Sequence, residues 1–490
     1  MTIAAAPGTV PGDPATPRLG FWTKCAYGFG SVAYGVKNSG FDYFLLLFYS
    51  QVIGLDARLV GIAVTTALVF DAVSDPVVGY WSDNTRSRWG RRHPFMYASA
   101  LPVALSYFLL WNPPQGLGEA GLFWYLLVLA VTIRTFVTAY ETPSSALAPE
   151  LTEHYEERSS LISFRYYFGW TGGNAMTVMM FFFVFPAMAT EAIADGRFNR
   201  DAYELYGIIG SALIFLSILV SALGTHGHIP HLKPPPAQRR LTLRRIFGEI
   251  LETLANRSFV ALFVSAIFGA VASGLAASLS FYFYTYFWEF SSVETGVLTM
   301  GVFLSAVIGF VLAPIVTRTI GKKRGAMTIG LVAFLGAPLP VVLRLLGLLP
   351  ENGTPFVFWL VFVTSVIDVG LIICFQILLA SMMADLVEQS ELETGRRSEG
   401  IFFSAVTFIR KSVQGLGLLV ASFVLYLAGL DSGADVEQVS EETVFALGAY
   451  YVPTILVLWL TMMALISFYS LDRATHEDNL RRLAENRRRG

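Results

Sequence analysis

Asp71-Ala-Val-Ser-Asp75-Pro76 places two carboxylates four residues apart inside an apolar stretch. On a helix that spacing puts both on one face, one turn apart. Carboxylates that close repel each other, and a bound proton or Na+ relieves the repulsion. Hard oxygen donors at this density suit a monovalent cation and not a soft metal. Further charges interrupt other apolar runs: the acids Asp42, Glu141 and Asp368, and the bases Lys37, Arg134, Arg165, Arg410 and Lys411. A charge at the bilayer centre costs about 2.5–3.5 kcal/mol on insertion scales, so such residues are functional by default. The plainer alternative is that acids and bases pair to hold helices together. Lys411 stands mid-span in the second half of the chain, where its cation can meet Asp71 and Asp75 across a central cavity. Arg410 beside it points about 100° away and cannot share that partner.

Two other groups carry expectations. Asp83, Arg86, Arg91 and Arg92 (with Arg88) follow the Asp-Pro segment at its cytoplasmic end. They read as a conformational latch or as ordinary topology charge. Lys37, Asn38, Asp42, Glu141 and Arg165 offer polar groups to a solute, with Lys37 and Arg165 suited to an acidic one. Tyr166, Tyr167 and Trp170 suit a sugar ring or plain packing. His226, His228 and His231 have no ligand framework for a metal, and no H-E-x-x-H or G-x-S-x-G pattern supports hydrolysis. The chain is therefore not expected to be an enzyme.

The elements that must hold these residues follow from composition. The 490 residues are 54% hydrophobic and 14% charged, where a soluble domain carries roughly 25% charged residues. Mean hydropathy is +0.57, and Phe alone occurs 39 times. Disorder, collagen and a disulfide scaffold are excluded. The long continuous apolar runs exclude a transmembrane barrel of short alternating strands. A net charge of −2 gives no footprint for nucleic acid. Cys25 and Cys374 form no framework. The Pro-dotted N-terminus lacks the ordered regions of a signal peptide.

Apolar segments of spanning length fall near 24–51, 58–82, 94–112, 121–147, 161–188 and 204–224, then near 259–288, 292–318, 325–348, 354–385, 400–430 and 444–470. This predicts an all-α membrane protein of twelve transmembrane helices in two six-helix halves, the major facilitator fold. The chain divides into a cytoplasmic lead (1–23), a first bundle (24–224), a basic linker with an amphipathic helix (225–258), a second bundle (259–470) and a basic tail (471–490). Lys and Arg crowd one set of loops, while the opposite set holds only Arg58, Arg197 and Arg200. Both termini and the linker are thus expected in the cytoplasm of a plasma (inner) membrane protein. Short basic, glycine-containing turns follow the second and eighth segments, around Gly90 and Gly321, which suggests duplication. In such a fold the solute site lies between the halves near the midplane.

Tyr27-Gly-Phe-Gly30, Asp71-x-x-x-Asp75-Pro76, Thr85-Arg-Ser-Arg-Trp-Gly90, Pro149-Glu-Leu-Thr152 with Glu157-Arg158, Arg165 and Lys411 together resemble the glycoside–pentoside–hexuronide:cation symporters of the major facilitator superfamily. The resemblance covers nearly the whole chain. It implies that Asp71 and Asp75 bind a coupling Na+, Li+ or H+, that Lys411 lies near that cation, and that Arg165 lies near the sugar. It also shows departures. The family's sugar-binding aspartate of the first helix falls on Gly35, that of the fourth on Glu141, and the stacking tryptophan on Ser145.

The expectation is a secondary active symporter working by alternating access, using a Na+ or H+ gradient, no ATP and no other cofactor. It acts as a monomer among membrane lipids on a small solute, a glycoside or sugar derivative such as a uronide. A branch of the same resemblance carries lysolipids, which gives the alternative of an amphipathic anion. A non-transporting sensor is the alternative of another class.

Overall fold

The computed structural model describes residues 19–152, 155–231, 257–394, 399–433 and 439–469. Most of the lead, the expected linker helix and the basic tail lie outside the described residues. So does the side chain of Lys411, although its backbone is helical.

Among the described residues the chain forms twelve helical rods. In the first half, α1 runs from Phe21–Phe29 and Val32–Ser39 through two π-turns to Val52. It is followed by α2 (Ala57–Asn84), α3 (His93–Leu110), α4 (Glu119–Leu151), α5 (Tyr155–Met179, extended by a π-turn) and α6 (Arg200–His226). The second half comprises α7 (Arg257–Tyr282, extended by a π-turn), α8 (Ser292–Thr319), α9 (Lys322–Gly336, resumed over Leu339–Leu345), α10 (Pro355–Thr394), α11 (Glu399–Ala428) and α12 (Glu441–Ser467). Nine described helices are long and apolar enough to cross a membrane. A helix satisfies every backbone donor and acceptor within itself, which hydrocarbon demands.

The two halves repeat one packing plan. In the first, α1 packs on α5 and α6, α2 on α4, and α3 on α4 and α6. In the second, α7 packs on α11 and α12, α8 on α10, and α9 on α10 and α12. The seams between halves, α2 on α11 and α5 on α8, exchange under the same repeat. The end of α1 and the end of α7 also share a turn. Ile53 N donates to Phe48 O (3.0 Å) and Leu55 N to Tyr49 O (2.9 Å), matched by Trp288 N to Phe283 O (2.9 Å) and Phe290 N to Tyr284 O (2.7 Å). Gly54 and Glu289, at matching places, adopt positive φ of 87° and 54°. Asp56 and Ser291 then cap α2 and α8.

These matching turns meet on the face remote from Leu19 and Tyr469. Ser50 Oγ and Tyr282 Oη lie 2.5 Å apart, and Tyr286 Oη donates to Gln51 Oε1 at 3.2 Å. Arg197 donates to Thr285 Oγ1 at 2.9 Å, Ser432 Oγ to Leu55 O at 3.1 Å, and Gly433 N to Ser50 O at 2.9 Å. The Arg58 guanidinium lies 3.8 Å over the Tyr426 ring. Its hydrogen bonds to Asp56 hold that carboxyl below the usual carboxylate range. The halves are thus clasped together on the remote face.

Candidate functional site

The packing of α2 on α4 assembles the carboxylate pair. Asp71 is 6% exposed. Thr138 Oγ1 of α4 stands 2.7 Å from Asp71 Oδ1 and 2.8 Å from Asp75 Oδ1. A hydroxyl carries a single proton and can donate to one of them. A proton or a bound cation between the oxygens would stabilise the other short contact. Three hard oxygens converge where the sequence pattern showed two. Thr138 was missed by sequence reasoning, although Arg134, Thr138 and Glu141 recur at the spacing of one helical face.

Arg134 extends the group. Its Nη1 lies 3.5 Å from Asp71 Oδ2, and its guanidinium lies 5.0 Å from the centre of the Phe41 ring. Its Nε finds no acceptor among the described residues.

Beside this cluster is a cavity of about 350 Å³. Lys37, Asn38 and Asp42 of α1 and Glu141 of α4 all line it, together with Asp71 and Arg134. Gly274 and Ser278 of α7 and Gly415 and Leu418 of α11 close it from the other half. Lys37 is 8% exposed, with the charges of Arg134, Asp71, Glu141 and Asp42 within reach.

Arg165 stands elsewhere. It lies outside the cavity wall and donates to Tyr27 Oη (3.2 Å) and Ser144 Oγ (3.3 Å). Tyr27 Oη in turn donates to the Ser144 carbonyl at 2.9 Å. The guanidinium also faces the Tyr27 and Tyr34 rings, at 5.6 and 5.9 Å. It fastens α5 to α1 and α4, so any influence on a solute passes through Tyr34, which does line the cavity.

For Lys411 the backbone register is informative. Thr65 Oγ1 donates to Gly415 O at 3.1 Å, and Gly61 packs on Ser422. The helices α2 and α11 therefore run antiparallel. Continuing that register puts the backbone of position 411 at the level of residues 69–72, which include Asp71.

The expected latch residues meet around an acid that sequence reasoning did not assign to them. Arg91 and Arg92 pair with Glu150 at 2.8 and 3.0 Å, and Arg92 also pairs with Asp83 at 2.5 Å and donates to Ser82 Oγ at 2.8 Å. Arg86 is exposed. The described part of this network ties the end of α2 and the start of α3 to the end of α4. It lies within the first half. His93 bonds Thr225 at 3.0 Å and Tyr97 bonds His226 at 2.9 Å. No metal-holding group of His, Cys, Asp and Glu occurs among the described residues.

A family model described as MFS/sugar transport protein matches residues 26–473. An uncharacterized symporter of Synechocystis sp. is 25% identical over 94% of this chain and 96% of its own length. The isoprimeverose transporter of Lactiplantibacillus pentosus is 23% identical over 87% of this chain and 84% of its own. A sodium-dependent lysophosphatidylcholine symporter of Danio rerio is 24% identical over 95% of this chain and 88% of its own. Among solved structures, a nucleoside transporter superposes with a TM-score of 0.62 at 14% identity, over 91% of this chain and 99% of that one. A D-xylose–proton symporter does so with 0.59 at 15% identity, over 90% and 97%. At such identities the structural likeness establishes the major facilitator fold.

Proposed function

Because the chain belongs to the MFS/sugar transport protein family, and so is a multi-pass membrane transporter and not an enzyme, we propose that it is a cation-coupled symporter. It moves a small hydrophilic solute, a glycoside or sugar derivative such as a uronide, by alternating access. The observation that carries this reading is the convergence of Asp71, Asp75 and Thr138 oxygens within 2.8 Å, beside a cavity that both halves close. The coupling ion is Na+ or H+, held by the two carboxylates and the hydroxyl. Lys411, at the same level on α11, is the cation through which the second half senses whether the site is filled. Lys37, Asn38, Asp42 and Glu141 contact the solute, and Arg165 positions Tyr34. Asp83, Arg91, Arg92 and Glu150 stiffen the first half as it moves. The chain works as a monomer in the plasma membrane, with both termini in the cytoplasm.

A second reading has its own support. Tyr166, Tyr167 and Trp170 of α5 are 67, 64 and 42% exposed, an aromatic strip suited to an amphipathic anion such as a lysolipid.

Proteoliposomes test both readings. An imposed Na+ or pH gradient should drive accumulation of a member of a panel of neutral glycosides, uronides and lysolipids. Accumulation only with ATP contradicts the mechanism. Binding without accumulation favours a sensor.

A further inference from the structure

Arg134 is 8% exposed, and yet its partnership is loose. Its contact with Asp71 is 3.5 Å, well beyond the roughly 2.7–2.9 Å of a strong charge-assisted bond. Its Nε–H has no acceptor among the described residues. A guanidinium offers five N–H donors, and a buried donor left unmet is costly. The same side chain lines the cavity. Asp71 therefore stands between two sites. One of its oxygens, Oδ1, faces Thr138 and the place of the coupling ion. The other, Oδ2, faces Arg134. A carboxylate carries one negative charge, so an ion arriving on Oδ1 weakens its hold on the guanidinium and repels it directly. The guanidinium is then left with uncompensated charge, next to the cavity, with donors unmet. Asp42 is the other carboxylate whose charge reaches it.

We propose that Arg134 is a tethered competitor of the coupling cation: it occupies Asp71 in the empty carrier, and the arriving cation frees its guanidinium for a carboxylate oxygen of the solute. This rests on the symporter reading and deepens it. The cation and the solute then strengthen each other's binding by the same factor, as linkage requires. The preferred solute is an acid, recognised by Arg134 in place of the Arg165 that the sequence suggested.

The purified full chain tests this at fixed pH and ionic strength, with Na+ or Li+ titrated by calorimetry and D-glucuronate as the anionic probe. Arg134→Gln removes the competitor. It should bind the ion roughly tenfold more tightly than the parent, a change of about 1.4 kcal/mol. D-Glucuronate binding, which the ion strengthens in the parent, should lose its ion dependence. Ion affinity equal to or weaker than the parent's overturns the competitor role. A parent that does not bind D-glucuronate, or binds it without regard to the ion, overturns the solute half. A parent that binds neither Na+ nor Li+ removes the metal-ion form of the symporter reading and this inference with it. Arg134→Lys keeps the charge and loses the fork of donors. If the Gln variant does not fold, the Lys variant decides: near-parental ion affinity with weakened D-glucuronate binding upholds the proposal, and unchanged D-glucuronate binding overturns it.

Discussion

The α-carbon of Gly35 in α1 faces the carbonyl oxygen of Gly169 in α5 so closely that a Cβ at position 35 would overlap it. The neighbouring Gly173 is also hemmed in, less tightly, by the Gly35 carbonyl and Ser39. Small residues let membrane helices cross at backbone contact, where dispersion replaces the hydrophobic effect as the source of adhesion. A side chain at position 35 is incompatible with how α1 and α5 meet.

Gly35→Ala should therefore destabilise the protein, by about 1–3 kcal/mol as for an overpacked core, and Gly35→Asp more. Thermal unfolding in detergent checks this. A Gly35→Asp variant as stable as the parent would show that α1 and α5 part easily.

Thr138→Val removes the hydroxyl and keeps the shape. A hydrogen bond to a charged group contributes roughly 1.5–3 kcal/mol, so the ion concentration giving half-maximal uptake should rise by tenfold or more. Thr138→Ser should remain close to the parent. Equal behaviour of the two variants would remove Thr138 from the site.

If Lys411 serves the ion site as proposed, Lys411→Ala should weaken ion coupling more than Lys411→Arg, because arginine keeps the positive charge. Uptake measured against Na+ and against pH checks it. Unchanged ion and pH dependence in the Ala variant would mean that the lysine faces elsewhere.

How much of this was legible in the sequence varies with the physics of each feature. The twelve rods follow from apolar run length, which the bilayer fixes directly. Asp71 and Asp75 stood out because a charge in hydrocarbon is rare and the i, i+4 spacing is local. Thr138 did not, because a threonine in an apolar segment is ordinary until the crossing of α2 and α4 brings it to the carboxylates. Arg165 had the right chemistry for a solute, but its direction depends on Tyr27 and Ser144, which only the packing of α1, α4 and α5 brings to it. Glu150 was visible in a motif and gained a partner only when α4 reached the α2–α3 turn. The likeness of Phe48–Asp56 to Phe283–Ser291 lay in the sequence as a shared Phe-Tyr start and a capping residue eight positions on. Its meaning as a pair of matching turns that join the halves appears only in the hydrogen bonds.

Those turns clasp the remote face, where Tyr286 Oη reaches Gln51 Oε1, so a Gln51→Cys, Tyr286→Cys double variant should be joined by a reducible bis-methanethiosulfonate linker that spans the gap left by the two side chains. Uptake should stop when the link forms and return on reduction. A cross-linked protein that still transports would show that the clasp does not open during the cycle.

The central claim is that a cation on Asp71 and Asp75 drives accumulation. One charge crossing a 100 mV potential supplies about 2.3 kcal/mol, enough for roughly 50-fold accumulation. The most direct measurement compares gradient-driven uptake with solute binding in the Asp71→Asn and Asp75→Asn variants. Asparagine keeps the size and loses the charge, so each variant should fold, lose concentrative uptake and retain measurable solute binding. Concentrative uptake at parental levels in both variants would contradict the account.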